Sequence, residues 1–178
     1  MFLAKTIILG SLMCNGFITN IFGDPRMPMK LPVQMILHES FPKEHIQTLK
    51  NAMDVWNKSS GKKLLVLKEG VTKNKQERDG LNVIYWETNW DKEENYEGLT
   101  MNYFLMTPIT ESDVIINSRY VTKEHIDFET LLIHEFGHVL GLDHSEDNDS
   151  VMLPTLPAYT QRHVLGWQDK SNLKCLGR

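Results

Sequence analysis

The sequence predicts one α+β domain, built on a twisted, mixed five-stranded sheet with two long helices. Three observations lead to this fold class. Five short segments are rich in apolar and β-branched residues, and two longer segments repeat apolar residues at helical spacing. The 178 residues, without internal repeats or low-complexity linkers, have the size of a single domain with one core.

The first strand and the first helix are predicted from the period of their apolar residues. Residues 31–37 have the composition of a strand. An amphipathic helix opens at Phe41-Pro-Lys-Glu and ends at Gly61. Its apolar residues recur three and four positions apart, and they are Ile46, Leu49, Met53 and Trp56.

Four further strands are predicted before the second helix. They cover residues 64–67, 82–86, 99–105 and 113–117, and the last of them is rich in β-branched residues. Between the first two, residues 68–80 are dominated by charged and amide side chains, which is typical of a solvated loop.

Two more helices complete the predicted fold. The longer one begins after Asp127, a favourable N-cap residue, and ends near Gly141, where a left-handed residue commonly terminates a helix. A short C-terminal helix is expected around residues 159–167.

The second helix carries the most informative motif of the chain, the pattern HExxHxxGxxH. His134 and His138 lie one turn apart on one helix face, so both imidazoles can bind a single metal ion. After the turn at Gly141, His144 can supply a third ligand and leave a fourth position to water. Glu135 is placed beside that open position, which suits a general base acting on metal-bound water.

The length of the pattern matters for this interpretation. A bare HExxH can also be two surface histidines that flank an exposed glutamate. Five fixed positions match by chance in a chain of this length with a probability on the order of 10⁻⁴ to 10⁻⁵. The motif therefore favours a metal site.

The residues that follow the motif carry a family resemblance. The third histidine is followed by Ser145 and, after a short loop, by Met152-Leu-Pro154. This arrangement resembles the metzincins, in which a methionine-containing turn lies beneath a zinc ion. Serine directly after the third histidine is similar to the matrixin branch, and the simplified loops are similar to compact bacterial members. The resemblance implies that Met152 is a packing residue of the Met-turn, not a ligand.

The resemblance also implies a function. It predicts a secreted zinc endopeptidase with one catalytic Zn²⁺ held by His134, His138 and His144, and with Glu135 assisting the attack of zinc-bound water on a peptide bond. Two alternatives stay open at this stage. One is a non-catalytic, secreted zinc-binding adhesin or inhibitor, and the other is a zinc hydrolase of non-peptide amides.

Several features depart from the pattern of animal matrixins. The stretch 87–98 lacks their histidine- and glycine-rich loop, so structural zinc and calcium are not expected. Pro154-Thr-Leu156 stands where a Pro-X-Tyr lines their specificity pocket, although Pro157-Ala-Tyr159 repeats the motif. Gln161-Arg-His163 stands about where they carry an acidic pair, so we expect a different support for the Met-turn.

The substrate position follows from the resemblance only in outline. An extended polypeptide would add as a strand to the sheet edge, and by order residues 99–105 would form that edge. The alternative is an internal strand. An apolar substrate side chain is preferred on the primed side, and no individual substrate-binding residue is assigned.

The N-terminus resembles a secretory signal peptide. Lys5 precedes an apolar run, and turn-prone residues follow, so we expect a leader over 1–23 and a catalytic domain over 24–178. Lipid anchoring at Cys14 is a minor alternative. Cleavage after Cys14 would leave Cys175 as the only cysteine, expected as a structural thiol.

The composition limits the partners of the mature protein. A net charge of -4 gives no electrostatic footprint for nucleic acid. The apolar N-terminal run is too short for a convincing membrane span. The family resemblance and the expected leader imply a secreted, extracellular or periplasmic monomer whose partner is a polypeptide substrate.

Overall fold

The structure is a computed structural model that describes residues 16–19, 25–75, 78–90, 96–104, 106–121, 127–155 and 157–176. Its sheet contains five strands, which are β1 (Val33–His38), β2 (Leu65–Thr72), β3 (Asn82–Glu87), β4 (Gly98–Phe104) and β5 (Ile109–Asn117). The strand order is β2-β1-β3-β5-β4. Strand β4 runs antiparallel to β5, whereas the other neighbours are parallel. The predicted α+β fold with a mixed five-stranded sheet is confirmed.

Four α-helices lie in the described part of the chain, and they are α1 (Ile46–Ser60), α2 (Ser118–Val121), α3 (Phe128–Val139) and α4 (Trp167–Leu173). A 3-10 turn at Lys43–His45 leads into α1, which ends at Gly61 with a left-handed φ of 66°. The Asp127 side chain caps α3 by accepting from the backbone N–H of Thr130 at 2.8 Å. No helix in these residue ranges combines the length and the apolar character needed to cross a membrane.

The main core lies between one face of the sheet and helices α1 and α3. Because side chains alternate along a strand, Met35, Ile84 and Ile116 all point into this core and are fully buried. Trp56 of α1 is also fully buried, and its Nε1–H donates to the backbone oxygen of Ile133 in α3 at 2.9 Å. This contact fixes the motif-bearing helix against α1.

Three elements differ clearly from their predicted limits. Strand β5 begins at Ile109, whereas its start was predicted at residue 113. Strand β2 extends to Thr72, which pairs with His38 of β1, so its polar residues from Lys68 onward form an edge strand and not a loop. The C-terminal helix is Trp167–Leu173, and the prediction around residues 159–167 was wrong. Tyr159 has a left-handed φ of 63°, a conformation that a right-handed helix cannot contain.

The segment Gly16–Thr19 packs against the domain. Phe17 is buried, with 2% of its surface exposed. The backbone N–H of Ile18 donates to the oxygen of Gly141 at 2.8 Å, and the N–H of Asp143 donates to the oxygen of Gly16 at 3.0 Å. The predicted boundary at residue 24 stays a prediction, but the segment before it contacts the loop between Gly141 and the third histidine.

Cys175 is not the free thiol that the sequence led us to expect. It is buried and forms a disulfide. The other cysteine of the chain, Cys14, lies outside the described residues. The expectation of a free thiol rested on cleavage after Cys14, which would leave Cys175 as the only cysteine of the chain.

Candidate metal centre and its cleft

Three histidines of the motif converge at the C-terminal end of α3. His134 and His138 lie one turn apart, and their Nε2 atoms are 3.1 Å from each other. His144 follows the turn at Gly141, which has a left-handed φ of 88°. One ligand atom from each of the three rings lies within 4.8 Å of the others, so this group could hold a metal ion. No other group of this kind occurs among the described residues.

Backbone carbonyls orient two of these rings. The Nδ1–H of His134 donates to the oxygen of Val151 at 2.9 Å, and the Nδ1–H of His138 donates to the oxygen of Leu142 at 2.8 Å. With the proton on Nδ1, the Nε2 lone pair is free to bind a metal. Burial lowers the pKa of each ring to about 4, so both imidazoles are neutral at physiological pH.

Glu135 is buried beside the histidines, with 4% of its surface exposed. Burial raises the pKa of its carboxyl group, and a hydrogen bond from Thr100 opposes that rise. The Thr100 hydroxyl lies 2.6 Å from Glu135 Oε2. No local sequence pattern indicates Thr100, because this residue reaches the site from strand β4.

Met152 packs beneath α3 and is 1% exposed. A Cβ atom at Gly137 would collide with Met152 Sδ, so the fourth residue of the motif must be small for the turn to approach the helix. Met152 is therefore a packing residue of this turn.

An acidic residue of the last helix supports the Met-turn. Asp169 is 1% exposed and accepts hydrogen bonds from Ser150 Oγ at 2.5 Å, Val151 N at 2.9 Å and Gly166 N at 2.8 Å. The prediction assigned this place to Gln161-Arg-His163 and expected a different support, and it was wrong. One sequence feature could have indicated this role of Asp169. It is an acidic residue three positions after Gly166, which is the N3 position of a helix whose N-cap is Gly166.

The residues Gln161-Arg-His163 have other contacts. The backbone N–H of Arg162 donates to Thr130 Oγ1 at 2.8 Å, and its guanidinium donates to the oxygen of Ser150 at 2.5 Å. His163 Nε2 lies 2.6 Å from Asp127 Oδ1, at the N-cap of α3. This segment links the start of α3 to the Met-turn, next to the support that Asp169 provides.

The histidines and Glu135 line a cleft of about 910 Å³. One wall is β4, which is the edge strand of the sheet, as the sequence predicted. The opposite wall follows the Met-turn and includes Pro154 and Tyr159, whereas Leu156 lies outside the described residues. Tyr159 is 68% exposed.

Comparison with known proteins identifies the family. A sequence model of the family described as matrixin matches residues 17–176. The chain belongs to the matrixin family. The match begins at Phe17 and therefore includes the segment that packs beside Gly141, and the predicted metzincin and matrixin resemblance is confirmed.

Two plant proteins match a shorter stretch of the chain. The chain is 38% identical to "Metalloendoproteinase 1" of Glycine max over 60 residues, which are 32% of this chain and 20% of that protein. It is 39% identical to "Metalloendoproteinase 4-MMP" of Arabidopsis thaliana over 51 residues, which are 29% of this chain and 15% of that protein. The matched stretch thus spans a fifth or less of these relatives.

Proposed function

We propose that this matrixin is a zinc-dependent endopeptidase. The observation that carries the proposal is the convergence of three imidazole groups beside a buried carboxylate, in a cleft lined by β4, the outermost of the described strands. The names of the two plant relatives, both metalloendoproteinases, support it.

His134, His138 and His144 would hold the ion. Their donor set is the one that zinc prefers, and in two of them a backbone carbonyl already fixes the tautomer that leaves Nε2 free. When bound, zinc supplies Lewis acidity, which polarises a peptide carbonyl and makes water more acidic. Three neutral ligands leave the charge of the ion uncompensated, which strengthens both effects.

Glu135 would act as the general base. Glu135 follows the first ligand in sequence, but its carboxylate is turned toward β4, where it is hydrogen bonded to Thr100. The carboxylate is therefore not used as a ligand, and it can accept a proton from the attacking water. The same carboxyl group can then donate that proton to the leaving amine. Burial raises its pKa and so brings it closer to the working pH, which favours both transfers.

The substrate would be an extended polypeptide. Strand β4 is the outermost of the five described strands, and its residues Leu99, Thr100 and Asn102 line the cleft, so an extended peptide could lie along this strand and pair with it. Such pairing recognises a peptide backbone and gives no particular advantage to a small non-peptide amide. An apolar side chain on the primed side stays our preferred specificity.

We also propose that the protein works outside the reducing cytosol. The disulfide at Cys175 supports this proposal, because disulfides persist in oxidising compartments. The apolar N-terminal run, with Lys5 before it, supports export by the secretory route. Since Cys14 is the only other cysteine of the chain, a disulfide within one chain requires that the exported protein keeps residue 14, so a leader removed up to residue 23 is not compatible with it.

A cleavage profile tests the proposed function. The protein, loaded with zinc, is incubated with a library of unstructured peptides, and the products are identified by mass spectrometry with and without a chelator. Cleavage within peptide chains that stops with chelator is expected. Bound zinc without any peptide cleavage would instead support a binding protein, and cleavage of non-peptide amides alone would support the other alternative.

A further inference from the structure

We propose that Thr100 is a positioning residue, which holds the Glu135 carboxylate in the orientation that proton transfer needs. The inference rests on the proposed function and deepens it. It assigns a role to a side chain of the edge strand, outside the HExxHxxGxxH motif.

The contact between the two residues is short and specific. Thr100 Oγ1 lies 2.6 Å from Glu135 Oε2 and 3.2 Å from the backbone oxygen of Glu135. A hydroxyl has one proton, and the closer, charged oxygen is the stronger acceptor. The hydroxyl therefore donates to Oε2.

Gly98 shapes the other side of the carboxylate. It lies two residues before Thr100 on the same face of β4, and a Cβ atom there would come within 2.7 Å of Glu135 Oε1. The absence of a side chain at Gly98 therefore leaves room for Oε1, while Oε2 is engaged by Thr100. Oε2 is thus held by Thr100, and Oε1 is the oxygen that we assign to a reacting water.

Asn102 anchors strand β4 to helix α3 next to this contact. It lies on the same strand face, two residues after Thr100, and its Nδ2 donates to the backbone oxygen of His138 at 2.9 Å. Its own oxygen accepts from Ser112 Oγ at 2.5 Å, so the amide orientation is fixed. The hydroxyl of Thr100 is thus presented to Glu135 by a strand that is itself anchored to α3.

The orientation of a glutamate carboxylate is weakly determined by its own bonds, because the terminal torsion has broad minima. A hydrogen-bond donor on a rigid strand restricts the carboxylate to fewer orientations, so less entropy is lost during the reaction itself. Loss of the donor should therefore lower the rate of the chemical step and leave the binding of substrate and zinc nearly unchanged.

Two substitutions at Thr100 separate this role from simple packing. Thr100→Val keeps the shape and removes the hydroxyl, whereas Thr100→Ser keeps the hydroxyl and removes a methyl group. We expect Thr100→Val to lower kcat by about 10- to 100-fold, as is typical for groups that orient catalytic-site ligands. KM and zinc content should stay near those of the wild type, and Thr100→Ser should restore most of kcat.

Thr110→Val is the matched control. Thr110 lies on β5, and its hydroxyl donates to the backbone oxygen of Tyr103 at 3.2 Å, away from the cleft. Wild-type kcat is expected for this variant.

Crystal structures of the Thr100 variants give a readout that does not depend on turnover. We expect the Glu135 carboxylate to rotate or become disordered in Thr100→Val and to keep its place in Thr100→Ser. Wild-type kcat in Thr100→Val, an equal loss in Thr100→Ser, or an unmoved carboxylate would each overturn the proposal. Absence of cleavage by the wild-type enzyme would contradict the proposed function instead, and the carboxylate position would still test the contact.

Discussion

The Sδ atom of Met152 occupies the space that a side chain at Gly137 would fill. Gly137 lies in the last turn of the helix that carries His134 and His138, and Met152 lies on the turn whose carbonyl at Val151 orients His134. The close approach of turn and helix therefore determines the position of a predicted metal ligand.

Gly137→Ala tests that packing. In an open helix this change would stabilise the protein by about 1 kcal/mol through helix propensity. Here the added methyl group meets Met152, and overpacking typically costs about 1 to 3 kcal/mol. We expect a net fall in the free energy of unfolding, measured by urea denaturation. Met152→Leu, a nearly volume-conserving control, should cost under about 1.5 kcal/mol. A stabilised Gly137→Ala variant would contradict the packing account.

Asp169→Ala should destabilise the Met-turn. The substitution leaves Ser150 Oγ and the backbone N–H of Val151 buried without their acceptor. Unpaired buried donors cost about 1 to 3 kcal/mol each, and more when the lost partner is charged. The expected loss is about 2 to 5 kcal/mol by denaturant titration. The exposed Asp149→Ala serves as the control and should change stability by under about 0.5 kcal/mol. Equal effects of the two substitutions would refute this role.

Asp113 predicts a pH dependence of stability. It is fully buried, and burial, together with the charges of Glu111 and Asp79, raises its pKa from 3.8 to about 7. Since the folded state then holds a proton that the unfolded state releases, the contribution of Asp113 favours folding below pH 4. That contribution is lost as the pH rises to about 7.

The comparison of Asp113→Asn with the wild type isolates this contribution. The substitution removes the titrating group, so the fall in the free energy of unfolding between pH 4 and pH 7 should become smaller than in the wild type. Urea denaturation at several pH values measures it, with the exposed Asp54→Asn as control. Identical pH profiles for wild type and Asp113→Asn would show that the carboxyl titrates normally.

The metal site is tested by His138→Ala. Removal of one imidazole leaves two of the three ligands, so we expect zinc to be lost or greatly weakened in native mass spectrometry at neutral pH. His45→Ala is a suitable control, because His45 stacks on Trp86 and lies outside the metal-binding group. Undiminished zinc in His138→Ala would eliminate the proposed ligand set.

The sequence predicted the elements whose signals are local. The period of Ile46, Leu49, Met53 and Trp56 predicted α1, and the cap at Asp127 predicted the start of α3. The C-terminal helix was misplaced, because its start depends on Gly166 and on contacts between Asp169 and a turn 18 to 19 residues earlier.

In the candidate site, too, the residues with local sequence signals were predicted and the residue that depends on distant contacts was not. The spacing within the motif was sufficient to predict that His134, His138 and His144 come together. Thr100 could not be found from the sequence, since its approach to Glu135 is created by the pairing of β4 with β5 and by the packing of the sheet on α3. Non-local contacts leave no periodic signal in a single sequence.

The most direct test of the proposed mechanism compares wild type and Glu135→Ala, both loaded with zinc, on one unstructured protein substrate. The variant keeps all three histidines, so its zinc content and fold should be unchanged. Its turnover should fall by about 10² to 10⁴-fold or more, because the positioned proton acceptor is gone. Equal cleavage by the two proteins would contradict the role of Glu135, and zinc binding without cleavage by either would contradict the peptidase function itself.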